Sequence, residues 1–90
     1  MHLFALICTD KADRLPIRAA NRDAHLAYLH SSGVVSQAGP FLDPDGAMCG
    51  SLIVLDVADR AAAEAWAAAD PYALAGLFAK VRIEHWRKVI

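Results

Sequence analysis

The sequence predicts an α+β chain with the element order β-α-β-β-α-β. Three observations lead there. Residues 2–9 and 50–57 are apolar on both alternating faces, the pattern of strands that are covered on both sides. Residues 14–32 and 60–69 carry helical spacing and helical start and stop signals. Between the second and third strands stands Asp43-Pro44-Asp45-Gly46, where proline presets φ and glycine relieves the tight position of a turn.

The first strand, residues 2–9, places Phe4, Leu6 and Cys8 on one face and Leu3, Ala5 and Ile7 on the other. Asp13 is the expected cap of a helix over residues 14–32, where Pro16 is tolerated because it lies in the first turn. Leu15, Ala19, Leu26 and Leu29 form its expected apolar stripe, and Gly33 stops it. Residues 34–41 read as a strand broken near Gly39-Pro40, and residues 50–57 as a second central strand. Asp59 caps an alanine-rich helix over residues 60–69, in which Trp66 is the one large side chain. Asp70-Pro71 ends that helix, because a residue before proline avoids the helical region. Residues 72–77 allow one more short turn, and residues 78–90 make the last strand. This order is the ferredoxin-like split βαβ, with both helices on one face of an antiparallel sheet. Phe4, Leu6 and the two-sided strand around residues 52–55 suggest that the other, bare face is apolar.

With no repeat or linker, the 90 residues read as one domain. A hydrophobic share of 57% against 21% charged excludes a disordered chain. A formal charge of −1 argues against a nucleic-acid partner, which would need a basic surplus. Apolar runs fall well short of the roughly 20 residues of a membrane span, and no leader pattern stands at the N-terminus. A soluble, cytoplasmic protein is expected. Cys8 and Cys49 belong to no metal or redox motif and are expected to be reduced and mostly buried. So much apolar surface on so small a chain predicts a second copy packed against it.

Arg18, Arg22 and His25 follow one another at spacings of four and three, on one stripe of the first helix. Two guanidiniums and an imidazole there can hold an anion beside a base. They can equally be solvated arginines and a histidine packed under a loop. Asp70 can accept bonds from turn amides, or it can orient an imidazole and stabilise its cation. As a residue of an exposed turn, it is expected to be removable without loss of the fold. His2, His30 and His85 lack metal-ligand spacing, so no metal or other cofactor is expected. Gly39-Pro40 and residues 46–50 lack the ending of a phosphate-binding loop. No nucleophile elbow surrounds Ser51. Lys80, Arg82, Arg87 and Lys88, interleaved with Glu84, read as a solvated strand face, and Trp66 and Trp86 as core or interface residues.

The segment from Arg22 through His25 to Leu29, then Gly33, Ala38-Gly39-Pro40, Gly50-Ser51, and Ala65-Trp66 leading to Asp70-Pro71-Tyr72, resembles the YciI-like proteins. The ordered set spans nearly the whole chain. The resemblance implies one ferredoxin-like domain over residues 1–90 that forms a dimeric α+β barrel. It also implies a catalytic pair of His25 and Asp70 in a pocket, where Arg22, Ser51 and Tyr72 are the candidates for holding substrate. Some relatives resemble enzymes that process hydroxylated or chlorinated aromatic rings. The expected function is a cofactor-independent, lyase- or hydrolase-like enzyme for a small phenolic or anionic molecule, with His25 as general base. The alternatives are a small-ligand-binding or accessory module that uses the same pocket without turnover, and a purely structural dimer.

Overall fold

The computed structural model describes residues 2–90. The elements run β1 (His2–Asp10), α1 (Leu15–Ser32), β2 (Val35–Leu42), β3 (Met48–Val57), α2 (Arg60–Ala69), α3 (Pro71–Leu74) and β4 (Phe78–Trp86). The four strands form one sheet in the order β2-β3-β1-β4, and every neighbouring pair is antiparallel. This is the predicted ferredoxin-like arrangement, with α3 as a single extra turn after α2.

Alternation along β1 and β3 divides their side chains between the faces. Phe4, Leu6, Cys8, Ile53, Leu55 and Val57 meet Leu29, Ala63 and Trp66 from the helices in one buried cluster. The small side chains of α2 bring it close to the sheet, so Ala63 is fully buried. Leu3, Ala5, Ile7, Leu52 and Val54 occupy the alternate positions, on the face away from the helices. That bare face is apolar as expected, but through these residues. Phe4 and Leu6 turn toward the helices instead.

Several expectations need correction. Asp13 does not cap α1. It adopts φ 59, a left-handed conformation that aspartate tolerates, and leaves Arg14 at the cap position with no side-chain capping bond. The buried stripe of α1 is Arg18, His25 and Leu29, whereas Leu15 is half exposed and Ala19 is exposed. The helix is rotated so that Arg18 and His25 of the polar stripe are buried together with Leu29. Leu26 is half-buried at the cavity, and only the Leu15 and Ala19 end of the expected apolar stripe is left outside. β2 is not broken at Gly39-Pro40, which pair in register with Leu52 and Ser51. An edge strand accommodates proline because one of its sides needs no N–H. Its register shifts lie instead at Val35/Gln37 and Phe41/Leu42. β4 stops at Trp86 because Leu3, its partner there, is near the start of β1. Cys8 is buried as expected, but Cys49 is exposed near the outer end of β3.

Other local signals hold. Asp59 caps α2 by accepting a bond from the Ala62 amide at 2.8 Å. Gly33 closes α1 in the left-handed region, φ 71, which a side chain would resist. In the β2–β3 turn the Asp43 carboxylate accepts from the Asp45 and Ala47 amides. No helix among the described residues is long and apolar enough to cross a membrane.

Candidate active site

His25 projects from the inner face of α1, and Asp70 sits at the junction of α2 and α3. Their side chains meet, with His25 Nδ1 2.7 Å from Asp70 Oδ1. A carboxylate only accepts, so Nδ1 carries a proton, and in the neutral imidazole this tautomer puts the lone pair on Nε2. Asp70 Oδ1 also accepts from the Tyr72 amide at 3.0 Å, which caps α3. The Tyr72 ring stacks on the imidazole, with centroids 3.8 Å apart and planes within 12°. His25 is thus held at its edge by Asp70 and on its face by Tyr72. Asp70 is only 1% exposed, which corrects the expectation of an exposed turn residue. The folding of α3 onto α1 buries it.

Arg18, two turns earlier on α1, forms a bidentate pair with Asp10 at the end of β1, at 2.8 and 2.9 Å. Its Nη2 also donates to Ser51 Oγ at 3.0 Å. Its guanidinium carbon lies 4.8 Å from the centre of the Tyr72 ring. Both members of the ion pair are almost fully buried. Of the two guanidiniums on the predicted stripe, Arg18 is therefore already neutralised. Arg22 is exposed and has no acidic partner among the described residues. Asp10 had no role in the sequence reading. The available signal was an acidic residue at the end of an otherwise apolar strand.

These side chains border a cavity of about 270 Å³ between α1 and the β2–β3 side of the sheet. Arg18, Arg22, His25, Ser51 and Tyr72 give it a polar wall. Leu26, Leu29, Pro40, Met48 and Ile53 face them with an apolar one. All the predicted site residues except Asp70 border the cavity, and Asp70 stands behind His25. Because Nδ1 is engaged by Asp70, Nε2 is the ring nitrogen left for a molecule in the cavity. Burial raises the Tyr72 phenol above its ordinary value, with the Arg18 charge opposing, so at neutral pH the group is a hydrogen-bond donor. Among the described residues no three His, Cys, Asp or Glu side chains cluster to hold a metal.

A ferredoxin-like sheet with a histidine–aspartate pair beside a small, two-sided cavity sets the class. The chain belongs to the YCII-related domain family, whose model matches residues 2–87. It is 38% identical over 96 residues to Protein YciI of Escherichia coli O6:H1 (strain CFT073), covering 97% of this chain and 98% of that one. Protein YciI of Shigella flexneri matches to the same extent. Among solved structures it is similar to 5-chloro-2-hydroxyhydroquinone dehydrochlorinase (TftG) from Burkholderia phenoliruptrix AC1100, in complex with 2,5-dihydroxybenzoquinone. There the TM-score is 0.85 and the identity 31%, over 94% of this chain and 93% of that one.

Proposed function

We propose that this chain is a cofactor-independent enzyme acting on a small phenolic or otherwise anionic molecule, with His25 as general base. The observation that carries this reading is the 2.7 Å contact of Asp70 with Nδ1, which leaves Nε2 for the cavity. A base must reach the proton it takes, and the tautomer set by Asp70 gives it the lone pair to do so. The cavity, near the lower bound of about 300 Å³ for ligand pockets, fits a molecule about the size of one substituted ring. Its apolar wall suits the ring, and Arg22 supplies the unpaired positive charge for an ionised oxygen. Ser51 and Tyr72 complete the polar wall. The dehydrochlorinase named above, of the same fold, acts on a hydroxylated, chlorinated ring and supports this substrate class.

The proposed step is lyase-like. The substrate O–H bond breaks and its proton goes to Nε2, while the oxygen pair becomes part of a carbonyl. The pair is relayed through the ring to the carbon that bears the leaving group, which takes up a proton and becomes saturated. Loss of a second, conjugated hydroxyl proton to Nε2 then expels the leaving group from that carbon with its bonding electrons, a net loss of one proton and one leaving-group anion. Asp70 supplies the counter-charge to the imidazolium, which afterwards returns the proton to solvent. No net oxidation occurs, so the step calls for no redox cofactor. The same base acting on water would give a hydrolase-like outcome.

We also propose that a second copy covers the bare sheet face. At about 25 cal/mol per Å² of apolar surface, the Leu3, Ile7 and Leu52 side chains left partly exposed there favour association.

The test is turnover of a panel of small phenols, chlorinated hydroquinones and small acids by wild type, His25→Ala, Asp70→Asn and Arg22→Ala. His25→Ala is expected to lose about 10²- to 10⁴-fold in rate. Arg22→Ala is expected to raise KM more than it lowers kcat. Equal turnover by wild type and His25→Ala refutes the base. Binding with no product in any case favours the ligand-binding module.

A further inference from the structure

We infer that Arg18 is a positioning residue: anchored by Asp10 and Ser51, its guanidinium seats the Tyr72 ring against His25 and so fixes the plane of the imidazole. The position of Arg18 on the polar wall invites a simpler role, as a second anion receptor beside Arg22. Its contacts argue otherwise. Nε and Nη2 are both spent on Asp10, Nη2 also serves Ser51, and the carboxylate already balances the charge. Only Nη1 is free of Asp10 and Ser51, and it belongs to a buried guanidinium whose charge a bidentate carboxylate at 2.8–2.9 Å already balances, so an incoming anion gains little there.

The geometry gives the pair a different task. One bond from Asp70 holds Nδ1 but leaves the imidazole free to tilt about that contact. The Tyr72 ring, 3.8 Å away and nearly parallel, removes this freedom. Tyr72 itself stands on α3, a helix of only four residues. Its amide is tied to Asp70 and its ring lies beside the Arg18 guanidinium. Arg18 in turn is fastened to the end of β1 by Asp10 and to β3 by Ser51. The two central strands thereby reach the imidazole through a chain of contacts: sheet to Arg18, Arg18 to Tyr72, Tyr72 to His25. Ser51 belongs to this chain through the bond it accepts from Arg18.

The inference rests on the reading of His25 as the reacting group only for its consequence in turnover. Its test needs no substrate. Long-range ¹H–¹⁵N spectra of the ligand-free protein report the His25 tautomer, and its ring-proton shifts report the stacked tyrosine. Wild type and Tyr72→Phe are expected to share one Nδ1–H tautomer with strongly ring-shifted protons. Tyr72→Leu and Arg18→Lys are each expected to lose most of that shift. The double variant is expected to resemble either single one, because both break the same chain. Asp10→Asn and Ser51→Ala, which loosen Arg18 without removing it, are expected to lose part of the shift and to broaden the signals. They keep the test alive if Arg18→Lys fails to fold. A set of folded variants in which Tyr72→Leu alters His25 while the Arg18, Asp10 and Ser51 changes leave it as in wild type overturns the inference. A protein that proves to bind without turnover leaves this result standing and instead removes the proposed enzyme.

Discussion

Replacing Asp70 by alanine should cost both stability and chemistry, and the structure gives the size of the first loss. The carboxylate is 1% exposed and receives two donors, His25 Nδ1 at 2.7 Å and the Tyr72 amide at 3.0 Å. Alanine leaves both without an acceptor, and each orphaned buried donor costs about 1–3 kcal/mol. The sum is about 2–6 kcal/mol. Two effects reduce it: the desolvation cost of a buried carboxylate disappears, and water can re-enter from the cavity side of His25. An expected loss of about 2–3 kcal/mol remains, which at about 4–8 °C per kcal/mol for a domain this small lowers Tm by roughly 10–20 °C. Asp70→Asn keeps the volume and one acceptor oxygen, so its stability cost should be about 1 kcal/mol. It should still slow any turnover, because a neutral amide does not balance an imidazolium. Urea unfolding followed by circular dichroism measures both variants. If Asp70→Ala unfolds within about 0.5 kcal/mol of wild type, a margin well under the cost of one orphaned donor, the account of a buried, doubly bonded carboxylate fails.

Four further outcomes follow from the same structure. Gly50→Ala should be strongly destabilising, by about 1–3 kcal/mol or more in urea unfolding, because a Cβ there would lie 2.3 Å from the Cys8 carbonyl oxygen. In native protein a thiol reagent should label only the exposed Cys49, and denaturant should release the second equivalent, since burial, then the Asp70 and Asp10 charges, push the Cys8 thiol up to about 12. A folded-state value above the ordinary 9.0 favours the protonated thiol, so this contribution is complete below pH 9 and is lost as pH rises toward 12; alkaline titration of Tm should show the decline, with the raised Tyr28 and Tyr72 phenols adding in the same direction. Sedimentation should give a dimer at micromolar concentration and a monomer for Leu52→Asp, and a monomeric wild type would remove the proposed interface.

The strands and the second helix were legible because their signals are local. Two-sided apolar runs mark β1 and β3, and Asp59 followed by alanines marks α2. The first helix was readable in extent but not in facing. Its expected stripe of Leu15, Ala19, Leu26 and Leu29 is led by hydrophobicity, whereas the fold buries Arg18 and His25, whose partners lie 8 and 45 positions away in sequence. No periodicity encodes such a partner. The resemblance brought His25 and Asp70 together, but not Asp10, which belongs to no matched segment. For the same reason Asp70 looked exposed: its burial comes from α3 folding onto α1, a tertiary event that the Asp-Pro-Tyr turn does not announce.

The position of β2 has a consequence for how such a site can change over evolutionary time. This strand has a neighbour on one side only, and its residues 38–40, with Met48 beyond the turn, make the wall opposite the histidine. The His25–Asp70 pair is mounted elsewhere, on α1 and at the α2–α3 junction. Under the proposed function, the bowl that selects a molecule and the pair that acts on it are therefore separately tunable. Substitutions or length changes in β2 and in the turn at residues 43–47 can reshape the bowl at the cost of one edge ladder, without moving Nε2. Under the same proposal, a scaffold divided in this way can pass from one ring substituent to another while its proton-transfer geometry stays fixed.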